Sequence, residues 1–297
     1  MIEQKKEEGY GKIAPTAWGV AYDRAQGDIK YAKEIFDEID AVVAPTDPLE
    51  IEYMEHKKRA RNSPMFEARY KLINRLIAEN KTDQILEIAS GLAPRGLAMT
   101  EEDPSLCYVE VDLPVMAENK RRILDNLFTK GRANPQKNLC IENGDALSLE
   151  SLEKATVCFE KKPVTIVNEG LLRYLSFEQK ALVAKNISTL LGKFGGTWIT
   201  SDITLARALS NRDERKVNKE LVKALSGIDV DKNSFQDVEE AVNYFQNLGF
   251  TVERHSFLEV IDDLISPKNI GLSEEETRSL LTPFVVFVMR PKKDSTI

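Results

Sequence analysis

Histidine is nearly absent from this chain: 297 residues carry two, His56 and His255. His56 falls in a charged helical stretch and His255 at a strand end, with no partner at catalytic spacing. Each is a poor candidate for a general base. Cysteine is scarce as well. Cys107, Cys140 and Cys158 are odd in number and far apart in sequence, which excludes a disulfide framework and the paired spacing of a zinc site. Each lies in or beside an apolar run and reads as a small buried hydrophobe. No apolar stretch approaches the ~18 residues that would span a membrane. The opening MIEQKKEEGYGK is charged and has no apolar core, so it is not a secretory signal, and a cytoplasmic location is expected. A basic excess is missing too: the formal net charge is -7, which argues against a nucleic-acid partner. The one basic run, Lys57-Lys58-Arg59-Ala60-Arg61, reads as a solvated helix face.

What is present is an ordinary soluble composition, 42% apolar and 30% charged, long enough for a sizeable core. The most informative stretch is residues 84–112. Gln84 to Ala89 is a short apolar run, the mark of a strand buried on both faces of a parallel sheet, with the acid Glu87 near its end. Ser90-Gly91 follows, and Gly91 lets the backbone approach a ligand or take a positive φ. Tyr108 to Asp112 is a second strand, stopped by Pro114, and Asp112 therefore stands at its carboxyl end. In an open α/β sheet that edge lines the ligand crevice, where an acid can accept hydrogen bonds from ribose hydroxyls. The dinucleotide pattern G-x-G-x-x-G is not met, because only Gly91 and Gly96 are present and position 93 is Ala. A pyrophosphate fits poorly, which disfavours a nicotinamide-dependent oxidoreductase; a nucleoside ligand needs only one close approach and one acid. The residues alone leave open that Gly91 is simply a strand-to-helix turn and Asp112 a cap.

Residues 1–12 are polar and expected to fray. Residues 13–44 read as two helices broken near Gly27, and residues 49–80 as helical with a break near Asn62-Ser63-Pro64, so the first 80 residues form a helical layer ahead of the first strand. A helix follows over 114–128, with Lys120, Arg121 and Arg122 placed on its surface. Strands are expected at 138–142, 163–167 and 197–202. Ser176 opens a helix over 177–191 with Gln179 at the capping-box position. This alternation indicates a parallel sheet with right-handed crossovers. Residues 203–235 break the rhythm and read as an inserted cap over the ligand edge. A helix over 236–248 closes at Gly249, and two final strands, 250–255 and 284–289, flank a polar, partly helical connection.

Polar turns thus stand at the ends of successive strands, carrying Glu87 with Gly91, Asp112, Asp145 and Glu169. Such a row suits a ligand rich in hydroxyls and amines with a positive centre, and an adenosyl sulfonium matches. Asp112 would take the ribose, Asp145 and a neighbouring backbone N–H the adenine, and carbonyls near Gly91 or the Glu169 carboxylate the methionyl ammonium. The methionyl carboxylate would call for an arginine.

The runs ILEIASGLAPRGLAM, YVEVDLPVMAENKRRIL and VNEGLLRYLSFEQ, together with Thr16 to Ala25, resemble the leucine carboxyl methyltransferase family, whose members show G-L-D-T-R, E-V-D-L-P with a following lysine, and E-G-L-L-x-Y-L in that order. The resemblance covers most of residues 15–202. It implies a class I methyltransferase-like (Rossmann-like) α/β fold: a mostly parallel seven-stranded sheet with helices on both faces, an N-terminal helical cap region (1–80) and a methyltransferase domain (81–297) with a cap insertion around 203–235. It also implies an S-adenosylmethionine-dependent O-methyltransferase acting on a carboxylate or hydroxyl of a small molecule or peptide C-terminus, without a metal. Cofactor contacts are then expected from Arg69, Glu87, Gly91, Asp112, Asp145, Ala146 and Glu169, with Arg69 clamping the methionyl carboxylate. Arg95 matches the arginine of the first motif, whereas Ala93 and Pro94 replace its aspartate and threonine. Tyr174 and Arg173, in the third motif, are the catalytic candidates. Arg24, Arg173 and Arg207 could meet an acidic substrate. Core packing for Tyr174, turn chemistry for Asp145 and a surface place for Arg69 are the competing structural readings. A protein of this fold that binds the cofactor without turnover is the competing functional one.

Overall fold

The computed structural model describes residues 14–43, 47–203, 205 and 213–292. The fraying expected of residues 1–12 and the candidate Arg207 lie outside the described residues.

Among the described residues four helices come first: α1 (Ala14–Arg24), α2 (Ala32–Val43), α3 (Pro48–Arg59) and α4 (Ser63–Asn80). Pro48 and Pro64 each occupy a first-turn position, where a missing N–H costs nothing. The sheet then builds strand by strand: β1 (Gln84–Ile88), β2 (Cys107–Asp112), β3 (Leu139–Asn143), β4 (Val164–Asn168), β5 (Gly196–Thr200), β6 (Phe250–Ser256) and β7 (Val285–Pro291). Helices α5 (Arg95–Glu102), α6 (Pro114–Thr129), α7 (Leu149–Ala155) and α8 (Phe177–Phe194) form the crossovers, and α8 opens with the capping box expected of Ser176 and Gln179. The strand order is β3-β2-β1-β4-β5-β7-β6. All pairings are parallel except those of β7, which runs antiparallel to both β5 and β6.

Alternation along the strands divides the core in two. Leu86, Ile88, Val109, Val111, Ile166 and Trp198 pack under α7 and α8 and under α10 (Val238–Asn247). Ile85, Tyr108, Val167, Ile199 and Val286 face Leu72, Ile73, Leu76 and Ile77 of α4. A third cluster joins Trp18, Ile35, Ile39 and Tyr53 of the helical layer to Ile123, Leu124 and Leu127 of α6. Leu221, Val222 and Leu225 of α9 (Asp213–Ser226) complete that third cluster. The insert therefore packs on the helical layer, with α9 against α3.

Lys120 was expected on a helix surface, but it is 2% exposed and paired with Glu110 of β2, which lies on the α4 side of the sheet. The periodicity of α6 places its long stem inward, and a buried acid holds its charge. Among the described residues no helix is long and apolar enough to cross a membrane.

Candidate active site

A cavity of about 830 Å³ opens at the carboxyl ends of β1 to β4, within the size range of small-molecule sites. Its floor is made by the four strand-end turns: Ile88–Leu92, Asp112–Met116, Asn143–Ser148 and Glu169–Leu175. Its roof comes from Thr16, Ala17, Val20 and Arg24 of α1 and from Phe66 and Arg69 of α4.

The first turn is shaped by its backbone. Ala89 and Gly91 have φ of 55° and 52°, the left-handed region that glycine enters freely and alanine at a cost. Gly91 is required by this conformation and not by crowding, since a Cβ there would meet only Ala17, at 3.8 Å. The Asp112 carboxylate locks the turn, accepting the N–H of Gly91 at 2.7 Å and of Leu113 at 2.8 Å. Burial pushes the Asp112 pKa up to about 6, against these two N–H groups, which favour the charged form. From below, the Lys120 ammonium donates to the Ala93 carbonyl at 2.7 Å, so a lysine anchored on Glu110 fixes the turn's far end. Burial lifts the Glu110 pKa to about 7 even with Lys120 beside it.

The third-strand turn is an Asx turn: Asp145 Oδ1 accepts the Leu147 N–H at 2.9 Å, and the Ser151 hydroxyl accepts the Asp145 N–H at 3.1 Å. Gly144 is required sterically, because a Cβ there would stand 2.5 Å from Val111 Cγ1. Asp145 and Ala146 both line the cavity.

At the fourth turn Glu169 gathers three arginines from three helices. Its Oε1 stands 2.9 Å from Arg24 Nη2 and 2.7 Å from Arg69 Nε, and its Oε2 accepts from Arg95. The Arg69 contact is an ion pair without hydrogen-bond alignment, and the Arg24 Nε has no hydrogen-bond partner among the described residues. Burial alone would raise the Glu169 pKa, but Arg95, Arg24 and Arg69 outweigh it and hold the group far below the usual carboxylate range. Glu87 completes the cluster by accepting from Arg95 and, at 2.8 Å, from the Tyr108 hydroxyl, while the Tyr70 ring lies 4.7 Å from the Arg95 guanidinium. Three guanidiniums thus meet two carboxylates, which leaves one surplus positive charge at the cavity wall.

Nine expected site residues can now be placed. Gly91, Asp112, Asp145, Ala146, Glu169, Arg69, Arg173 and Tyr174 line one cavity. Glu87 does not, and its expected contact with a cofactor is corrected here: strand alternation turns it beneath α4, where it is 1% exposed and bonded to Arg95 and Tyr108. Glu169 does line the wall, but its oxygens are engaged by arginines. No described residue of the 203–235 insert lines the cavity, and residues 204 and 206–212 of the expected cap lie outside the described residues. Neither His56 nor His255 lines it. Tyr174 hydrogen-bonds through its hydroxyl to Thr16 at 3.1 Å, joining floor to roof.

Sequence reasoning missed Asp202. It is 4% exposed and accepts from the Asn168 side chain and from the N–H groups of Gly170, Leu171 and Leu172, at 2.6 to 2.9 Å. Trp198 Nε1 donates to Asn168 at 2.7 Å. The available signal was one more acid just past the end of a strand, after β5.

Strand order, antiparallel β7 and a cavity at the carboxyl ends of the parallel strands define a class I methyltransferase fold. The leucine carboxyl methyltransferase family model matches residues 30–188, more than half of the chain, and the chain belongs to that family. S-adenosylmethionine is the cofactor that goes with this family of methyltransferases. The fold is shared with a DUF574 family protein from Streptomyces avermitilis, at 16% identity and a TM-score of 0.57, over 85% of this chain and 95% of that one. A putative O-methyltransferase from Nostoc punctiforme (16% identity, TM-score 0.48) and PigF with SAH (16%, 0.46) align over 84% and 85% of this chain. The alignments span only 62% and 65% of those two longer chains. Comparison with curated proteins gives no match.

The residues present suit that cofactor: an acid with spare acceptor capacity at Asp112 for a diol, a turn at Asp145 and Ala146 for a base, and a surplus positive charge for a carboxylate. Among the described residues no group of acids, histidines or cysteines is placed to hold a metal ion.

Proposed function

We propose that this protein transfers a methyl group from S-adenosylmethionine to an oxygen of a small molecule or peptide C-terminus, with a carboxylate favoured over a hydroxyl. The observation that carries the reading is Arg173. It lines the same cavity as Asp112 and Glu169, yet it has no acidic partner among the described residues, and its Nε is buried without a hydrogen bond. Arg24 and Arg95 are engaged by Glu169, and Arg69, paired there without hydrogen-bond alignment, is assigned to the methionyl carboxylate. Among the described lining residues Arg173 is therefore the cation left for an acceptor anion, where a charge-assisted pair contributes roughly 1.5–3 kcal/mol.

The cofactor supplies an activated methyl group on a sulfonium. Asp112 accepts the ribose hydroxyls, Asp145 and Ala146 flank the adenine, and Arg69 meets the methionyl carboxylate. Glu169 serves by holding Arg24, Arg69 and Arg95 in place. An acceptor carboxylate is ionised at neutral pH and needs no general base, in keeping with the place of both histidines outside the cavity. The work left to the residues is alignment, with Tyr174 beside Arg173 as a second orienting group. Helices α1 and α4 of the N-terminal cap region exclude water from above.

Calorimetry against S-adenosylmethionine and S-adenosylhomocysteine, followed by a methyl-acceptor screen of acids, phenols and peptides, tests the proposal. The expected results are micromolar binding of both, turnover on an acid, and an Arg173→Ala variant whose KM for that acid rises about tenfold with S-adenosylhomocysteine affinity unchanged. Binding without turnover on any acceptor would instead favour a binding protein of the same fold, and absence of binding would overturn the reading entirely.

A further inference from the structure

The three cysteines, scattered at positions 107, 140 and 158, meet at one corner of the sheet. Cys107 opens β2, and Cys140 stands on the adjacent β3 opposite Val109. Both are half-buried and pack against the core beneath α7. Cys158 lies in the turn that follows α7. It is exposed, and the neighbouring Val157 is 80% exposed. The Cys158 thiol is 3.9 Å from that of Cys107 and near enough to Cys140 to help push that thiol's pKa up. The expectation of three separate buried hydrophobes is thereby corrected. The convergence was hidden because it is made by a strand pairing and a turn folding back over 51 residues.

We propose that Cys158 and Cys107 form a peroxide-sensitive dithiol that closes to an intramolecular disulfide. Hydrogen peroxide oxidises the exposed Cys158 thiol to a sulfenic acid with release of one water. The Cys107 thiol then attacks that sulfur, the S–S bond forms and a second water leaves, so that two thiols and one peroxide become one disulfide and two waters. Exposure makes Cys158 the point of entry. Burial pushes the Cys107 thiol up to about 12 and raises that of Cys140, with Cys158 adding to both, so neither inner thiol is the first to react. Proximity makes Cys107 the resolving partner: the sulfurs are already in contact, and the turn bearing Cys158 needs to close by about 2 Å to reach bonding distance. The pair is independent of the cofactor crevice, since Cys107 begins the strand that Asp112 ends.

The test treats the full-length reduced protein with hydrogen peroxide under native conditions, then alkylates, digests and maps it. The free thiols should fall from three to one, with Cys107 and Cys158 recovered in one linked peptide that a reductant separates. Cys140→Ser should form the same link, and Cys158→Ser should keep both remaining thiols free. Sulfinic or sulfonic acid at Cys158 without a link, a bond to Cys140, or a crosslink between two chains would each overturn the proposal.

Discussion

Asp112 and Ala89 show how much a single position can carry in this protein. Asp112 bonds Gly91 and Leu113 with its two oxygens and still faces the cavity, so its loss removes a ligand group and unlocks the turn together. Asp112→Ala should weaken S-adenosylhomocysteine binding at least about tenfold, equivalent to ~1.4 kcal/mol, by calorimetry; an unchanged affinity would refute the assignment to the ribose. With a pKa raised to about 6, Asp112 is a carboxylate at neutral pH and a neutral acid below 6. Protonation turns one acceptor oxygen into a donor, facing either a backbone N–H or the incoming hydroxyls. Affinity should therefore fall as pH drops through 6, and an Asp112→Asn variant should lack that step. For stability the sign is opposite: the cost of burying this charge is present above about 6 and relieved as pH falls. Ala89 holds a left-handed φ of 55°, so Ala89→Gly should raise stability by about 0.5–1 kcal/mol in denaturant titrations. The aspartate was legible in the sequence because Pro114 stops the strand just beyond it. The strained alanine was not, because nothing in a strand-end dipeptide Ala-Ser announces a positive φ.

The turn after β4 depends on an element distant in sequence. Asp202, just beyond β5, accepts three consecutive N–H groups from residues 170–172 and one from Asn168, and in doing so presents Arg173 and Tyr174 to the cavity. Asp202→Ala would strand four donors in a buried place and should cost about 3 kcal/mol, read as a lower melting temperature with faster amide exchange at residues 170–172. All seven strands and most helices could be read from apolar runs, prolines and caps, since these signals are local. The employment of Glu87, Lys120, Asp202 and the cysteines could not, because each is decided by which neighbour the sheet order brings alongside. Alternation on β1 tells that Glu87 faces opposite to Leu86, but it takes the pairing with β2 to put Tyr108 beside it.

At the scale of the molecule, Glu169 ties the N-terminal helices to the sheet. Removing its charge while three guanidiniums remain buried should destabilise strongly: Glu169→Gln is expected to cost about 3–5 kcal/mol, and adding Arg24→Gln should restore part of it in a double-mutant cycle. Because Glu169 is held far below its ordinary range, its contribution is complete above the usual glutamate pKa and is lost as acid carries the pH below it. Acid unfolding of the wild type should therefore begin with release of α1 and α4, detectable as early exposure of Trp18 by fluorescence. The same tie bears on biosynthesis. Arg24 and its acid are 145 residues apart, and at ~5–20 residues per second of translation roughly seven to thirty seconds separate their appearance. Helices α1 and α4 can pack on earlier elements, but their charged tie to Glu169 is missing until the fourth strand emerges, so on the ribosome their buried arginines are the part that waits.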